Sequence, residues 1–542
     1  MMKRLFTLLS VLALAVSSWA GPLKCDRSSL AVIPQPQKMT LGDKVFCLRP
    51  SSGICFLSDD ADLEFSAGLL ERSLAPVFGK GLELRDKAGV RIGISPAMKP
   101  EGYRLTIDGK GVEITAGSGA GAFYACQTLL QLMPVEMPAD GSVTAIELPY
   151  ADIEDAPVYT LRAMMLDCSR HFFTVDEIKN LLDLLAMHKI NTFHWHLTDS
   201  QGWRIEIKKY PELTRIGNYR PYTVRWPSWQ PNGIPVDGYY TQEQVREIIR
   251  YAAERFISII PEIEVPGHSN SALASYQWLG CRGEGYKVLP NFMISSDVYC
   301  PGKETTFEFL ENVLAEVIEL FPSEYIHIGG DECPKSEWEK CPLCQKRIAD
   351  EGLADEKELQ SYTIRRVEKF IRSKGRKLVG WDEISEGGLS TTAVVMQRYF
   401  GERAKKVFAN GNYSILCPNY YCYFDYYQVP EPEHANEPYC HRGRSNFNLN
   451  VECAYSLDPA ADYTPAEMKQ VLGLECNLWT EHVPDFAMLQ YKLLPRLDAF
   501  SEAAWTASPD RDFNEFVGRL SVMAARYDAM GLTNYAKHVF NR

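Results

Sequence analysis

Two adjacent carboxylates, Asp331 and Glu332, directly follow a short apolar run and could carry out acid/base chemistry. The run at residues 325–329 predicts a buried strand, in which neighbouring side chains would point to opposite faces. Gly329 and Gly330 remove that restriction, because glycine permits a bend and the close approach of a ligand. Two acids directed into one site suit proton transfer to and from an uncharged substrate. The structural alternative is a helix N-terminus, where Asp and Glu stabilise the helix dipole.

Eight apolar segments after residue 159 alternate with amphipathic stretches, a pattern typical of parallel strands joined by crossover helices. The strands are predicted at residues 161–167, 191–197, 257–265, 325–329, 377–381, 393–396, 413–417 and 473–479. Helices are predicted at residues 175–188, 242–255, 306–320 and 357–374. Eight such units over roughly 350 residues favour an α/β fold of the (β/α)8 TIM barrel type with long loops, and a doubly wound sheet is the alternative.

Polar and aromatic residues follow most of these strands at their C-terminal ends, where barrel enzymes build their active sites. Any single cluster fits a cap, a salt bridge or a core aromatic residue, but six clusters at one topological position favour a shared binding site. They contain Asp199, Trp203 and Arg204; Glu264 and His268; Asp331 and Glu332; Trp381 and Glu383; Tyr423 and Asp425; and Trp479 and Glu481.

The residue types in these clusters suit a sugar, whose ring has apolar faces and a polar edge. Flat side chains can pack on the ring, and polar side chains can bind its hydroxyl groups. The candidates are Trp381, Trp479 and Tyr423 for the ring faces, and Asp425, Glu481 and Arg162 for the hydroxyl groups.

A metal-dependent barrel hydrolase is the competing interpretation. His194 and His196 place two imidazoles on one face of the second strand, and with His268 and Asp331 they could ligate a metal. Both histidines precede the end of the strand, however. We therefore expect them to lie low in the barrel as structural residues rather than as metal ligands.

The chain has fifteen cysteines, an odd number that leaves at least one free thiol if the others pair. Cys341-Pro-Leu-Cys344 has the spacing of a zinc knuckle, but no second pair of matching spacing follows it. The pattern therefore favours a loop disulfide over zinc. Cys281 and Cys300 bracket a loop and are a further candidate disulfide.

Residues 1–20 have the features of a secretory signal peptide: a basic start, an apolar run at residues 5–16, and small residues before the expected cleavage point. The apolar run is short for a membrane span, which needs about 20 residues. We expect export to the periplasm or the cell exterior. The net charge of −13 argues against nucleic acid or an anionic membrane as a partner.

Residues 22–155 predict a small α+β domain in front of a barrel domain at residues 157–542. Alternating apolar residues predict strands at 90–94, 103–107 and 112–115, with a hairpin turn at 108–111 between the last two. A helix is predicted at 121–133. This part of the sequence contains no candidate catalytic cluster, so its expected role is to pack against the barrel.

Taken together, the motifs resemble those of glycoside hydrolase family 20, the β-N-acetylhexosaminidases. The resemblance covers nearly the whole chain after the signal, including the small α+β domain. The residues that carry it are Leu161-Arg162, Asp167-Cys-Ser-Arg170-His171-Phe172, His194-Trp-His-Leu-Thr-Asp199-Ser-Gln-Gly-Trp203-Arg204, Pro261-Glu-Ile-Glu-Val-Pro-Gly-His268, His327-Ile-Gly-Gly-Asp331-Glu332 and Asn477-Leu-Trp479-Thr-Glu481.

The resemblance implies an exo-acting, retaining hydrolase of terminal β-linked N-acetylglucosamine or N-acetylgalactosamine on glycans. In this family the 2-acetamido oxygen of the substrate attacks the anomeric carbon, so no enzyme carboxylate is the nucleophile. Asp331 would then orient and stabilise the acetamido group, and Glu332 would serve as general acid and base. No metal or organic cofactor is implied.

The resemblance also implies roles for the surrounding residues. Asp199 and His268 would form a hydrogen-bonded pair beside Glu332, and Arg162, Asp425 and Glu481 would bind sugar hydroxyls. Trp381 and Trp479 would wall the acetamido pocket, with Tyr423 donating to the acetamido oxygen. We expect the anion of Asp331 and burial to raise the pKa of Glu332.

Two positions depart from the family pattern. A tryptophan is common after the sixth strand in a Met-x-Trp-Arg context, whereas this chain has Val395-Met396-Gln397-Arg398-Tyr399-Phe400. Tyr399 or Phe400 is expected to replace that wall. Glu264 stands where aspartate is usual, for which we expect at most an indirect effect. A catalytically silent sugar-binding protein on the same fold is a further alternative, against which the intact Asp331-Glu332 pair argues.

Overall fold

The computed structural model describes residues 21–224, 228–429, 448–535 and 539. The signal peptide predicted at residues 1–20 lies outside these residues. Among the described helices, none combines the length and the apolar character that a membrane crossing requires.

The N-terminal part of the chain forms a mixed sheet covered by two helices. Its sheet order is β1-β7-β5-β6-β4-β3, with β2 paired antiparallel to β7. The elements are β1 (Pro22–Leu23), β2 (Lys38–Leu48), β3 (Ile54–Phe56), α1 (Leu63–Phe78), β4 (Val90–Ile94), β5 (Tyr103–Asp108), β6 (Gly111–Ala116), α2 (Gly119–Gln131) and β7 (Ala145–Asp155).

The predicted strands, hairpin and second helix of this domain are present in the structure. The strands β2 and β7 were not predicted. Most of β2 is exposed or half-buried without regular alternation, and Pro149 interrupts the pattern of β7, so neither sequence shows a clear period of two. These two strands are stabilised by their long antiparallel pairing with each other, which the sequence pattern of either one does not reveal.

Eight parallel strands close into a barrel, which confirms the predicted TIM barrel and excludes the doubly wound sheet. The first strand pairs with both the second and the last, so the sheet has no edge. The barrel strands are β8 (Leu161–Asp167), β9 (Thr192–His196), β12 (Ser258–Glu262), β13 (Tyr325–His327), β14 (Lys377–Trp381), β15 (Val394–Gln397), β16 (Ser414–Leu416) and β17 (Val471–Leu478), and a small hairpin follows β9 as β10 (Thr198–Asp199) and β11 (Gly202–Trp203).

Helices lie between and after the barrel strands, and several begin at side-chain caps. The side-chain oxygens of Thr174 and Thr241 each accept a hydrogen bond from the backbone N–H three residues later, and the side chain of that later residue accepts one from the backbone N–H of the threonine. The helices are α3 (Val175–Met187), α4 (Glu212–Arg215), α5 (Gln242–Ala253), α6 (Asn270–Ser275), α7 (Glu304–Leu320), α8 (Ser336–Lys340), α9 (Pro342–Glu351), α10 (Glu356–Ser373), α11 (Glu402–Ala409), α12 (Asn419–Cys422), α13 (Val451–Tyr455), α14 (Pro465–Met468), α15 (Phe486–Leu493), α16 (Arg496–Trp505) and α17 (Phe513–Ala529).

Candidate active site

A cavity of about 300 Å³ lies at the C-terminal end of the barrel. Its lining comes from the loops that follow most of the barrel strands, which is where the sequence placed the candidate residues. Eight of the ten predicted site residues line it together: Asp199, His268, Asp331, Glu332, Tyr423, Asp425, Trp479 and Glu481.

The bend after β13 brings both carboxylates into this cavity. Gly329 and Gly330 have φ values of 66° and 98°, a region that L side chains rarely adopt. A Cβ on Gly329 would lie 1.8 Å from Oε2 of Glu264, so a larger residue does not fit there. Glu332 itself has a positive φ of 45°, a strained conformation of the kind that clusters at functional sites.

The two acids occupy different environments. The Asp331 side chain is 7% exposed, whereas that of Glu332 is 39% exposed at the mouth of the cavity. Burial raises the pKa of Asp331 to about 6, against the opposing effect of the cations His268 and Arg398. Arg398 Nη1 lies 3.4 Å from Oδ2 of Asp331, whereas Oδ1 has no hydrogen-bond partner among the described residues.

His268 connects Glu332 to Asp199. Its Nε2 lies 3.5 Å from Oε2 of Glu332, and its Nδ1 lies 3.2 Å from Oδ1 of Asp199. Burial by itself would lower the pKa of His268, but the Asp199 carboxylate raises it well above its ordinary value. We therefore expect the imidazole to be a cation beside the acid.

The prediction of a raised pKa for Glu332 is wrong, because the structure gives a lowered one. The ion-pair contact with His268 lowers the pKa of Glu332, and this effect outweighs burial. The expected rise rested on the neighbouring anion and the apolar walls. The family resemblance placed His268 beside Glu332, but the positive charge of that imidazole was left out of the expected pKa.

The two histidines of β9 lie beneath the cavity in ion pairs. His194 Nε2 lies 3.0 Å from Oε2 of Glu262, and His196 Nδ1 lies 2.5 Å from the same oxygen. His196 Nε2 also lies 3.2 Å from Asp199. Both imidazoles thus bind carboxylates in the barrel interior, and neither lines the cavity.

Arg162 does not reach the cavity, which corrects its predicted role in binding sugar hydroxyls. It lies near the start of β8, whereas the cavity lies past the C-terminal ends of the strands. Its guanidinium is 1% exposed and forms paired contacts of 2.8 and 2.9 Å with Glu101 of the N-terminal domain. The guanidinium also packs over Trp505, 4.9 Å from the ring centre.

Arg170 lines the cavity instead, although no site role was predicted for it. Its Nη2 lies 2.8 Å from Oδ2 of Asp199, and its Nη1 lies 3.2 Å from Asp167. The signal that could have found it is position: Arg170 follows the C-terminal end of β8, whereas Arg162 lies at the other end.

Trp381 lies one layer below the cavity wall, which corrects its predicted position as a wall residue. The side chain is fully buried, and its Nε1 donates to Oε1 of Glu262 at 2.8 Å. Its ring packs 5.6 Å from that of Trp479, which does line the cavity. Trp381 therefore supports the wall from behind.

The two departures from the family pattern have distinct outcomes. Tyr399 lines the cavity, whereas Phe400 packs away from it against Tyr421 and Tyr463. Glu264 is buried and also lines the cavity, so it lies closer to a bound ligand than expected. Burial, reinforced by the anions around it, raises the pKa of Glu264 well above its ordinary value, so we expect a neutral carboxylic acid there.

Several buried polar atoms of the cavity wall are available to a ligand. Within the part of the chain that the structure describes, the cavity-lining atoms without a hydrogen-bond partner include Asp331 Oδ1, the Tyr423 hydroxyl and Glu481 Oε2. Burying such groups without a partner costs free energy, so their presence at a cavity indicates a polar ligand. Together they offer two acceptors and one hydroxyl donor beside the indole of Trp479.

Comparison with known proteins gives matches along most of the chain. Residues 159–508 match the family model described as glycosyl hydrolase family 20, catalytic domain, and residues 29–156 match the model of domain 2 of the same family. A β-hexosaminidase of Porphyromonas gingivalis is 41% identical over 515 residues, which cover 93% of this chain. The chain spans 64% of the length of that relative.

Solved structures show the same similarity. An exo β-N-acetylglucosaminidase of Vibrio harveyi, crystallised with N-acetylglucosamine, has a TM-score of 0.84 at 32% identity and covers 93% of this chain and 78% of its own. An N-acetyl-β-hexosaminidase of Streptomyces plicatus, crystallised with thio-NAglucal, has a TM-score of 0.81 at 31% identity, with coverages of 95% and 98%.

Proposed function

Because the chain belongs to glycosyl hydrolase family 20, we propose that it is an exo-acting, retaining β-N-acetylhexosaminidase. Its substrate would be a glycan that ends in a β-linked N-acetylglucosamine or N-acetylgalactosamine. The observation that carries the proposal is that Asp331 lines the cavity and its buried Oδ1 has no hydrogen-bond partner among the described residues. An acetamido N–H is a donor of matching size and polarity.

In the first step, the acetamido carbonyl oxygen of the sugar forms a bond to the anomeric carbon. The bond from that carbon to the leaving oxygen breaks, and Glu332 gives its proton to the leaving oxygen. The resulting oxazolinium ring carries a positive charge, which the anion of Asp331 stabilises. A tethered nucleophile gains effective concentration without a further binding step.

In the second step, water attacks the anomeric carbon from the face that the leaving group vacated. Glu332, now ionised, takes a proton from this water, and the oxazolinium ring reopens to the acetamide. Two inversions at the same carbon leave its configuration unchanged. His268 would hold Glu332 in place for both steps, since it contacts Asp199 on its other side.

The proton that Glu332 needs is available in the pair of acids. In the free site Asp331 has the higher pKa, so a single shared proton resides there first. A substrate N–H that donates to Oδ1 would favour the ionised form of Asp331. The sugar would also bury Glu332 further, which favours its neutral form. Binding thereby moves the proton to the acid that uses it.

The rest of the wall fits the sugar ring. The Trp479 indole offers a flat face, and the Tyr423 hydroxyl can donate to the acetamido oxygen. Glu481 and Asp425 can accept hydrogen bonds from ring hydroxyls. Tyr399 provides an aromatic edge where the family more often has tryptophan.

The test compares hydrolysis of a chromogenic β-N-acetylglucosaminide with that of the matching β-glucoside, for wild type and for Glu332→Gln. We expect cleavage of the acetamido sugar alone, reduced by about 10²–10⁴ in the variant, which is the usual contribution of general acid/base catalysis. Glu319→Gln, an exposed position on α7, is the matched control and should retain full activity. Equal cleavage of both sugars would contradict the proposal, because the glucoside has no internal nucleophile. Binding without cleavage would indicate the sugar-binding alternative.

We also propose that residues 1–20 direct the chain out of the cytoplasm. The support is the basic start, the short apolar run and the small residues before the expected cleavage point. Fractionation of cells that express the full chain, with mass spectrometry of the mature N-terminus, tests this proposal. Unprocessed protein in the cytoplasm would contradict it.

A further inference from the structure

Four cysteine thiols meet between the connection after β12 and the segment after β13. Cys281 and Cys300 belong to the long connection after β12, and Cys341 and Cys344 belong to the segment after β13. All four sulfur atoms lie within 4.8 Å of one another. The shorter separations are 3.5 Å for Cys300 to Cys344, 3.7 Å for Cys300 to Cys341 and 3.8 Å for Cys281 to Cys344.

These separations differ from those of a pair of disulfides. Bonded sulfur atoms lie about 2.05 Å apart, whereas every described cysteine in this cluster is a free thiol. The predicted Cys281–Cys300 disulfide is therefore not formed in the structure. Four sulfurs at about 2.3 Å from a central zinc ion, placed at the corners of a tetrahedron, lie about 3.8 Å apart. The separations of 3.5, 3.7 and 3.8 Å agree with this tetrahedron, and all four sulfur atoms lie within 4.8 Å of one another.

The cluster is largely buried, and the two segments that carry its cysteines contact each other. Cys300 and Cys344 are fully buried, and Cys341 is nearly so. A Cβ on Gly302 would lie 2.4 Å from the backbone of Leu343, so the two segments are in direct contact. The indole N–H of Trp338 donates to the Tyr299 carbonyl at 2.8 Å and links them again.

We propose that Cys281, Cys300, Cys341 and Cys344 bind one Zn²⁺ ion as four thiolates in a closed tetrahedral site. Binding releases the thiol protons to solvent, and no oxidant or reductant is involved. Four protein ligands leave no position for water, so the role is structural rather than catalytic. The proposal rests on the cluster geometry and does not depend on the proposed hydrolase activity.

The position of the cluster indicates which parts of the chain a bound zinc ion would connect. The connection between Cys281 and Cys300 carries Phe292, Met293 and Ile294, which form one wall of the cavity. The other two ligands lie on the segment that begins at Glu332, and Cys333 packs in the same apolar cluster as Cys300. A zinc ion would thus fix a substrate wall to the loop of the general acid.

The first experiment measures metal content on the full chain, expressed with its own N-terminal segment and purified without chelator or reductant. We expect about one zinc per chain in wild type and in Cys47→Ser, a half-buried cysteine of the N-terminal domain. Cys344→Ser should lose the zinc. An unchanged zinc content in Cys344→Ser would overturn the proposal.

A second measurement does not require the variant to fold. When a mercurial reagent is titrated into wild type, zinc should be released as four thiols react, and a chromogenic chelator detects the released ion. Replacement of zinc by Co²⁺ should give the strong sulfur-to-cobalt absorption of a tetrahedral thiolate site. Metal-free protein whose mass is lower by four hydrogen atoms would show two disulfides, and it would overturn the proposal, as would iron in place of zinc.

Discussion

The Nε2 atom of His268 lies 3.5 Å from Oε2 of Glu332, at the outer end of an alternating series of acids and bases. The series runs inward from His268 to Asp199 at 3.2 Å, then to His196 at 3.2 Å and to Glu262 at 2.5 Å. Each base lies between two carboxylates. The ionisation of Glu332 at the mouth of the cavity is therefore tied to charges buried in the barrel.

The first prediction concerns the pH dependence of kcat/KM. The active form of the free enzyme carries one proton on the pair Asp331 and Glu332, and removal of that proton is governed by the higher pKa of the pair, about 6 on Asp331. Activity should therefore fall as the pH rises through about 6. Below this, activity should fall again only under conditions more acidic than the ordinary pKa of Glu332, because His268 lowers that value.

This profile is measured with a chromogenic β-N-acetylglucosaminide at substrate concentrations well below KM. Unfolding is followed at each pH by circular dichroism, so that loss of structure is not mistaken for titration. A kcat/KM that stays constant between pH 5 and pH 9 would show that this pair of acids does not limit the reaction.

The second prediction concerns the His268–Asp199 pair. In His268→Gln the cation that lowers the pKa of both acids is absent, so the alkaline limb should move to higher pH. The value of kcat should fall by about 10-fold or more, a part of the 10²–10⁴ that general acid/base catalysis supplies. KM should change less, because His268 is proposed to position Glu332 rather than to bind the sugar.

Asp199→Asn provides the companion measurement for this pair. It removes the anion that keeps His268 charged, so the limb should move in the same direction with the imidazole still present. Opposite shifts of the alkaline limb in the two variants would show that Asp199 does not act on the pKa of Glu332 through His268. A merely structural role would lower activity without moving the limb.

The third prediction concerns the bend at Gly329. In Gly329→Ala the added methyl group would collide with Glu264, in a backbone conformation with φ of 66°. Strain of this kind costs about 1–3 kcal/mol before the collision is counted. We expect a clear fall in the free energy of unfolding together with a large loss of activity, measured by urea denaturation and by kcat.

Gly352→Ala is the matched control for that variant. Gly352 has a φ of 64° and no atom within 4 Å of its added Cβ, so it reports the backbone cost without the collision. Pairing Gly329→Ala with Glu264→Ala should recover part of the lost stability. Equal losses in the two single glycine variants would mean that contact with Glu264 is unimportant.

The sequence predicted best what depends on local pattern. All eight barrel strands and the helices predicted between them were found, because apolar periodicity is set by neighbours in the chain. Gly329 and Gly330 likewise indicated the bend that directs both carboxylates into one site. Contacts that join distant strands could not be derived in this way. Only the family resemblance placed His268 beside Glu332, and the burial of Trp381 depends on Glu262 and Trp479.

The two arginines of the β8 region show the same limit and allow the last prediction. Arg162 and Arg170 flank one strand, but Arg162 binds Glu101 and Arg170 binds Asp199. Removing one partner of a buried ion pair usually costs 3–5 kcal/mol, so Arg162→Gln should lower the free energy of unfolding by about that much. Its KM should stay unchanged, because the side chain lies away from the cavity.

Arg170→Gln should have the opposite signature. Loss of its charge would weaken the support of Asp199, whose pKa Arg170 and His268 hold well below the usual range despite burial. We therefore expect a fall in kcat and a shift of the alkaline limb, measured under conditions in which the variant is fully folded. A normal kcat in Arg170→Gln would contradict a role for Arg170 in the cavity. A raised KM in folded Arg162→Gln would contradict the purely structural role of Arg162.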